Sequence, residues 1–469
     1  MGQEIELKQF TPEDFVLFAR RIADETELLA EWFGAGRFSG DSPVGGFELE
    51  GWLINQGYLP APKNEIFLAQ LDNPLVVQEL SKFNVELNGT PQPLQGNALA
   101  LMERELTETW LHCMQVANGL DSSLILIGIL PTVRDADLSL TNISSSNRFR
   151  ALNAQILKRR FYQPFCLRIE GDERMALLHE DVMLEAATTS FQVHLQVPAE
   201  QVARYFNAAL ILSAPMVAVA ANSPYLFEKS LWDETRIPLF EQAVNSGDEC
   251  RVTFGSSYMN HSPAELFSDN IRRFPVLLPN DLRSDTSQFS HLRLHNGTIW
   301  RWNRLLIGHD ALGSPHLRVE HRVMPAGPSI VDMMANAALF IGAAHSLARR
   351  GLPPEQLLPF NAIRANFYSA ARHGMGSTVH WLDGEPLGMR GFLLEELIPM
   401  AYEGLQHLGI AEVESAKYLT IIRHRVESGQ NGAAWQRAFV ARHGRDFVKL
   451  TAAYLQRQLG GKPVHEWDV

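Results

Sequence analysis

Four short segments, far apart in the chain, alternate apolar residues with Glu, His or Arg. They are GFELEGW at 46–52, FNVELN at 83–88, FQVHLQ at 191–196 and LRVEHR at 317–322. Because successive side chains of a strand point to opposite faces, this alternation predicts four strands. Each strand would have an apolar face and a charged face, whereas an ordinary half-exposed strand carries mixed Thr, Ser and Lys on its polar side.

The charged faces of these strands share one chemistry. Their side chains are Glu48, Glu50, Glu86, His194, Glu320 and Arg322. Hard cations such as Mg²⁺ prefer oxygen ligands, and acids two apart on a strand lie about 6–7 Å apart, so Glu48 and Glu50 can each hold a different ion. The pattern therefore predicts a sheet whose concave face binds divalent metal.

Each of these residues also has a structural interpretation. Glu48 and Glu50 could be a solvent-facing pair, and His194 taken alone is more typical of a hydrogen-bonded core histidine. Glu320 and Arg322 could form an ordinary surface salt bridge, which contributes little to stability. For Glu48 and Glu50, the adjacent like charges beside Trp52, with no Lys nearby, favour the metal-binding interpretation.

Helical and buried elements fill the rest of the chain. Thr11 before Pro12 is a typical helix start and predicts a helix to about Trp32. Apolar patterns predict a buried strand at 124–130 and a helix at 199–213. Beyond residue 330 the periodicity is almost wholly helical, at 330–349, 361–373, 392–407, 413–427 and 432–457.

Asn296-Gly297 is a strong hairpin signal, because both residues accept the positive φ of a type I′ turn. A hairpin with this tip would place four side chains on one face and Arg301 on the other. The four are Arg293, His295, Trp300 and Trp302. The basic residues Arg293, Arg301 and Arg304 beside Trp300 suit phosphate, carboxylate or a stacked adenine. The alternative is a hairpin that packs its Trp side chains on the core.

Composition excludes some classes of partner. A formal net charge of −12 argues against nucleic-acid and anionic-membrane binding, which would require a basic surface. Three widely spaced cysteines without a CxxC pair indicate a reducing compartment. The N-terminus does not resemble a signal peptide, and the longest apolar run, 208–221, is too short to span a bilayer. We therefore expect a cytoplasmic protein that does not bind membranes.

Several motifs, in order, resemble those of the glutamate–cysteine ligase type 2 family. They are Gly46-x-Glu48-x-Glu50, Glu79 with Glu86, Gln192-Val-His194, Asn222-Ser223-Pro224, Glu320-x-Arg322 and the helix from Asn361 to Gly374. That family includes bacterial carboxylate–amine ligases and belongs to the glutamine synthetase-like superfamily. The resemblance covers roughly residues 40 to 430. Asn222-Ser223-Pro224 could also be only a turn after a buried helix.

The resemblance implies an α+β fold: a curved antiparallel sheet of the glutamine synthetase-like half-barrel type, with helices packed on its outer face. Residues 1–330 would form the catalytic sheet-and-helix core with the N-terminal helix, and 331–469 a mostly helical C-terminal part packed on the same core. It also implies an ATP-dependent ligase that uses Mg²⁺, or alternatively Mn²⁺. Such an enzyme phosphorylates a glutamate-like carboxylate to an acyl phosphate, which an amine attacks to form an amide, in some members a γ-glutamyl bond. Members of this superfamily often form homo-oligomers.

Residue roles follow position by position. The resemblance implies metal ligands at Glu48, Glu50, Glu86, His194, Glu320 and, less closely matched, Glu79. Arg322 would steady the transferring phosphoryl group, with Glu320 beside it. The residues expected to contact the nucleotide are Arg293, Arg301, Arg304, Trp300, Asn222 and Ser223.

Two departures bear on the substrate. The family pattern usually has Asp three residues beyond the Arg of Glu-x-Arg, and this chain has Pro325 there. The segment 294–304 also differs from the cysteine-ligase pattern, so cysteine and glutamate are not assumed as substrates. Two alternatives stay open: a nucleotide- or amino-acid-binding protein that has lost catalysis, and a metal-dependent amide hydrolase that needs no nucleotide.

Overall fold

The computed structural model describes residues 5, 9–247, 250–280, 282–310, 313–382 and 384–469. The strands are β1 Val44–Asn55, β2 Val76–Gln78, β3 Asn84–Asn88, β4 Gln92–Pro93, β5 Ser122–Ile125, β6 Phe165–Glu170, β7 Arg174–His179, β8 Phe191–Val197, β9 Tyr225–Leu226, β10 Lys229–Ser230, β11 Val252–Thr253, β12 Trp300–Arg301, β13 Asn303–His309, β14 Pro315–His321, β15 Thr378–His380 and β16 Pro386–Gly388. The helices are α1 Pro12–Gly34, α2 Asn64–Leu71, α3 Ala98–Gly119, α4 Asn147–Arg159, α5 Val202–Ala220, α6 Arg236–Ala243, α7 Ala264–Arg273, α8 Ser290–Asn296, α9 Ile330–Ala348, α10 Pro354–Leu357, α11 Phe360–His373, α12 Met389–Phe392, α13 Ile398–Leu408, α14 Glu412–Ser428, α15 Gly432–His443 and α16 Phe447–Leu459.

One eight-stranded antiparallel sheet organises the molecule. Its strands follow the order β13-β14-β8-β1-β3-β2, and β4 and β5 pair with the two ends of β1. The sheet curls into a half-barrel with helices packed on its outer face, as the sequence analysis predicted. The four segments with alternating charge became β1, β3, β8 and β14, so the alternation identified the centre of the sheet correctly.

The apolar face of the sheet packs on two long helices. Phe47 and Leu49 of β1 point to this face and are buried, as is Val319 of β14. Helices α5 and α9 contact strands β14 and β8 and pack against each other. Both helices are long and apolar enough to cross a membrane by composition alone, but their apolar windows are 89% and 94% buried inside the protein. They are the hydrophobic core behind the sheet.

Several predicted elements have different boundaries. The N-terminal helix begins after Thr11 as predicted, and a capping box that was not predicted forms there, in which Thr11 and Asp14 bond each other's backbone. Strand β5 ends at Ile125 instead of continuing to residue 130. The helix predicted at 432–457 is two helices, because Gly444 ends the first and Asp446 caps the second by accepting a hydrogen bond from the Lys449 amide.

The hairpin predicted at Asn296-Gly297 is wrong. Asn296 is the last residue of α8, and Gly297 has φ −65°, so neither residue takes the positive φ of a type I′ turn. The Asn296 side chain is held by tertiary contacts: it accepts from Asn270 and donates to the Leu305 carbonyl. Trp302 is buried and donates to Glu241, so the expected shared face with Arg293 and His295 does not form.

Two helices of the C-terminal region cross at a pair of glycines. A Cβ on Gly404 of α13 would overlap the carbonyl group of Gly342 in α9, and a Cβ on Gly342 would overlap the carbonyl group of Ala401. Backbone atoms occupy the space on both sides, so neither helix can accept a side chain without moving. The crossing therefore holds α13 close behind the core helix that supports the sheet.

We expect Gly404→Ala to lower the free energy of unfolding by about 1–3 kcal/mol, because the added methyl group must push two backbones apart. Urea unfolding followed by circular dichroism measures this. Gly391→Ala is the matched control: this helical glycine has open space around its Cβ position, so the change should stabilise the protein by about 0.4–1 kcal/mol. Equal effects of the two substitutions would contradict the close crossing.

Candidate active site

The register of the sheet gathers the charged residues on one face. Glu50 of β1 pairs with Glu86 of β3, and Glu320 of β14 pairs with His194 of β8. Glu320 also pairs with Arg304 of β13. Residues directly opposite in antiparallel strands lie on the same face, so the predicted charged faces form one surface. This surface is the floor of a cavity of about 940 Å³, a volume typical of small-molecule sites.

Glu48 and Glu320 line this floor and form a compact trio with His194, which is buried next to them. His194 Nε2 lies 3.4 Å from a Glu48 carboxylate oxygen and 3.7 Å from a Glu320 oxygen. One atom of each residue lies within 4.8 Å of the other two, as ligands of a single ion require. Burial opposes ionisation of Glu48, but its interactions with His194 and Arg322 bring the Glu48 pKa well below its ordinary value.

A divalent cation fits this trio. His194 Nε2 is buried, and its Glu48 neighbour at 3.4 Å is not aligned for a good hydrogen bond; neighbouring ligands of one Mg²⁺ ion are likewise about 3 Å apart. His194 Nδ1 accepts a hydrogen bond from Arg318 Nε at 3.2 Å, which leaves the ring proton on Nε2. Coordination by Nε2 therefore requires the proton to move to Nδ1 and Arg318 to release that nitrogen.

Two arginines hold Glu320. Arg304 donates to both carboxylate oxygens, at 2.7 and 2.9 Å, and Arg322 donates to one of them at 3.1 Å. Burial alone would raise the pKa of Glu320, but the charges of Arg304 and Arg322 lower it to about 2. Arg322 also donates to Gln192, while its Nε is buried with no partner among the described residues. Glu320 is thus an ionised residue at neutral pH.

Glu50 has a different environment. Its carboxylate accepts from the Ser190 amide, the Ser190 hydroxyl and the Gln192 side-chain amide, at 2.7, 3.0 and 2.9 Å. Burial nevertheless outweighs these donors and the nearby Arg322, and it raises the Glu50 pKa. The three donors fix the side chain so that it projects from β1 toward the cavity.

Three further acids line the same cavity. Burial and the charge of Glu48 raise the pKa of Glu86 to about 7, and burial and the charge of Glu50 raise that of Glu185 to about 8. Burial and the charges of Glu86 and Glu50 place the pKa of Glu79 well above its ordinary value. Like charges therefore crowd this end of the cavity, and a bound divalent cation would offset them.

The cavity also has a basic group of side chains, called here its basic end. Arg293, Arg304 and Arg318 interact electrostatically and line the cavity with Trp300, whereas Arg148 acts on Glu185 among the acids. Burial lowers the pKa of Arg318 and of Arg293, which marks both guanidinium groups as partly removed from water. The cavity therefore has acidic and basic groups of side chains, and the two groups meet at the Glu320 ion pairs.

Three residues that we expected to contact the nucleotide do not line the cavity. Arg301 is buried against Asp269 and Asn270, with an ion pair of 2.7 Å. Asn222 bonds the Ala326 carbonyl and the Tyr454 hydroxyl, and the Ser223 hydroxyl accepts from the Arg236 amide. These contacts make Arg301, Asn222 and Ser223 part of the packing, with Asn222-Ser223-Pro224 forming the turn after α5 that was the alternative interpretation.

Pro325 is also away from the cavity lining. Its backbone bridges to Ser190, and its ring lies against Gly128, so close that a Cβ on this glycine would meet the proline Cβ at 2.8 Å. The position that usually carries Asp in the family therefore has a packing role in this chain. It supplies no charge to the acidic end.

Among the cavity residues missing from the predicted site are two arginines, one glutamate and one glutamine. Arg318 and Gln192 share the strand parity of Glu320 and His194, so the same alternation could have identified them. Glu185 lies in a 3₁₀ turn, Met183–Ala187, and Arg148 lies in helix α4. No periodic signal marks these two, because tertiary packing brings them to the cavity.

Comparisons with known proteins agree with this geometry. The sequence model of glutamate–cysteine ligase family 2 matches residues 44–451. No curated protein matches the chain. The fold is similar to that of glutamate–cysteine ligase from Francisella tularensis, solved in complex with AMP, with a TM-score of 0.53 and 11% identity over 90% of each chain.

A second similar structure is a bifunctional glutathione synthetase from Pasteurella multocida. Its TM-score is 0.55 at 10% identity, and the match covers 95% of this chain and 55% of that one. The chain thus spans about half the length of that bifunctional protein. At such identities the likeness concerns the fold alone.

Because the acids of the cavity are crowded, we expect the free energy of unfolding to depend on pH. The folded pKa of Glu86 is about 7, above its ordinary 4.5, so the folded protein holds a proton that the unfolded chain releases. Stability is then retained below pH 4.5 and falls as the pH rises through 7. Without divalent cations, Glu86→Gln should raise the free energy of unfolding above pH 7 by about 1–3 kcal/mol, measured by urea unfolding.

Added Mg²⁺ should stabilise the wild type more than Glu86→Gln, because the variant lacks a carboxylate for the cation. Glu180→Gln is the matched control, since Glu180 is exposed and should show neither effect. A Glu86→Gln protein that is no more stable than the wild type above pH 7 would show that the carboxylate is not crowded.

Proposed function

The chain belongs to glutamate–cysteine ligase family 2, and from this premise we propose that it joins a carboxylate to an amine through an acyl phosphate, with ATP and Mg²⁺. Membership makes it an ATP-dependent carbon–nitrogen ligase. The acyl-phosphate route, the metal and the roles of individual residues are the proposed part.

The proposal rests on the presence of an acidic group and a basic group of side chains in one cavity. Transfer of a phosphoryl group needs cations around the γ-phosphate, and the protein does little covalent chemistry itself. An acidic end that attracts metal beside a basic end that attracts phosphate meets this need. Glu320, between Arg304 and Arg322, stands at the junction of the two ends.

The acidic residues divide into two ligand groups. Glu48, His194 and Glu320 would hold one ion, because their ligand atoms already cluster. Glu50 and Glu86 pair across β1 and β3 and would hold a second, with Glu79 beside them. When bound, Mg²⁺ supplies positive charge that neutralises phosphate oxygens and polarises the phosphorus centre.

The arginines would act on the phosphoryl group and the nucleotide. Arg322 is fixed by Glu320 and Gln192, so its guanidinium needs no reorganisation to meet developing charge. Arg304 is fixed by its two bonds to Glu320 and would orient that carboxylate. Arg293 and Trp300, at the basic end, would contact the phosphates and the base.

Glu48→Gln is the sharpest test. The substitution keeps the size of the side chain and removes the charge beside His194, so the first ion should bind weakly and ADP formation should fall by at least about 10²-fold. An ATP-dependent phosphate-release screen over pooled carboxylates and amines would find the substrates, with product mass confirming the amide. Glu320→Gln should have the same effect, although it also leaves Arg304 without its partner.

Glu395→Gln is the control, because Glu395 is exposed and lies outside the cavity lining. Circular dichroism would show that each variant is folded. Full activity of both Glu48→Gln and Glu320→Gln would remove these residues from the reaction. ATP–Mg²⁺ binding without turnover would favour a binding protein, and amide cleavage without nucleotide would favour a hydrolase.

A further inference from the structure

Glu185 is the cavity acid that the proposed reaction leaves without a role. It is not on the sheet: the 3₁₀ turn Met183–Ala187, just before β8, carries it to the acidic end. Two backbone contacts fix the start of this turn, since the Met183 amide donates to Asp181 and the Val182 amide donates to Asn153. The position of the carboxylate is therefore built into the fold.

The Glu185 carboxylate accepts no hydrogen bond from the described residues, unlike its acidic neighbours. Glu50 accepts from Ser190 and Gln192, and Glu86 accepts from Asn88. Glu79 accepts from the Leu80 amide. A partly buried carboxylate without a donor calls for a ligand that supplies N–H or O–H groups.

A small chamber beside the main cavity supplies a second observation. It is lined by the charged residues Glu50, Glu185, Arg236 and Arg322 and by Phe240 and Trp302, among others, and its volume of about 10 Å³ is that of one water-sized group. Arg322 Nε is buried without a partner among the described residues. Two residues of the chamber lining thus have unmatched groups: Arg322 has a donor without an acceptor, and Glu185 has a carboxylate without a donor.

We propose that Glu185 binds the nitrogen of the attacking amine and accepts its proton. This inference rests on the proposed ligase function. The unmatched pair is what the amide-forming step needs, because the attacking ammonium has protons to donate and the departing phosphate has oxygens to accept. Glu185 would meet the amine, and Arg322 Nε would meet an oxygen of the acyl phosphate.

The step balances as follows. Glu185 takes part in its ionised form, which predominates above its pKa of about 8. The ammonium R–NH₃⁺ gives one proton to this carboxylate and becomes R–NH₂. Its lone pair forms the C–N bond with the acyl carbon, the C–O bond to phosphate breaks, and phosphate leaves with that electron pair. The second nitrogen proton passes to the departing phosphate. No oxidant or reductant takes part.

Hydroxylamine separates this role from phosphoryl transfer. It is largely uncharged at neutral pH, so it attacks an acyl phosphate without first losing a proton to the protein. With the full chain, ATP, Mg²⁺ and an accepted acid, Glu185→Gln should form hydroxamate at close to the wild-type rate. Amide formation with a primary alkylamine should fall by about 10²-fold or more, because the amine stays protonated.

Mn²⁺ binding can be measured through the paramagnetic relaxation of water protons, and this measurement does not depend on activity. Glu185→Gln should retain wild-type Mn²⁺ affinity, whereas Glu48→Gln should lose it. Glu180→Gln, an exposed acid five residues earlier, should behave as the wild type in every assay. Thermal unfolding verifies that each variant is folded. The Glu185→Gln variant should be at least as stable as the wild type, because it removes an acid from a crowded cluster.

Equal loss of hydroxamate and amide formation would overturn the inference, since Glu185 would then act before the amine enters. Unchanged amide formation, or loss of Mn²⁺ affinity, would overturn it as well. If the wild type forms neither hydroxamate nor ADP with any pooled acid, the proposed function itself fails, and this result is distinct from a defect confined to the variant.

Discussion

Repulsion among buried carboxylates is the constraint on which this structure depends. Six glutamates line one cavity, and burial raises the pKa of four of them, helped in Glu79, Glu86 and Glu185 by the charge of neighbouring carboxylates. The other two, Glu48 and Glu320, are brought below their ordinary pKa by neighbouring His and Arg side chains. A fold retains such a cluster only if something holds the side chains together, and here the hydrogen-bonded register of β1, β3 and β8 does so.

The scaffold behind the sheet resists that repulsion. Alternate residues of the same strands are apolar and pack on α5 and α9, while the glycine crossing keeps α13 close to α9. Each strand therefore has one face that stabilises the fold and one face that lowers its stability in the absence of a cation. Because both faces belong to the same backbone, the charged groups cannot separate without unpacking the core.

The cavity also brings opposite charges into contact. Arg304 and Arg322 bind Glu320, so basic side chains lie beside the acids that would attract metal. Glu185 lies apart from the sheet, beside the chamber that Arg322 also lines. The phosphoryl step and the amine step would thus use different faces of one arginine, which couples them in space without requiring the same carboxylates.

The sequence alone determined the structural features that depend on residues close together in the chain. Alternation with period two identified the central strands and put Glu48, Glu50, Glu86, His194 and Glu320 on one face, because side-chain direction in a strand is a local property. The tertiary structure decided the features that depend on residues far apart in the chain. Asn296-Gly297 ends a helix because Asn270 and Leu305, which are distant in sequence, bind the Asn296 side chain. Arg301 does not reach the cavity because it forms an ion pair with Asp269. Glu185 and Arg148 enter the cavity from a turn and a helix with no repeating pattern, since only the packing of those elements against the sheet sets where they point.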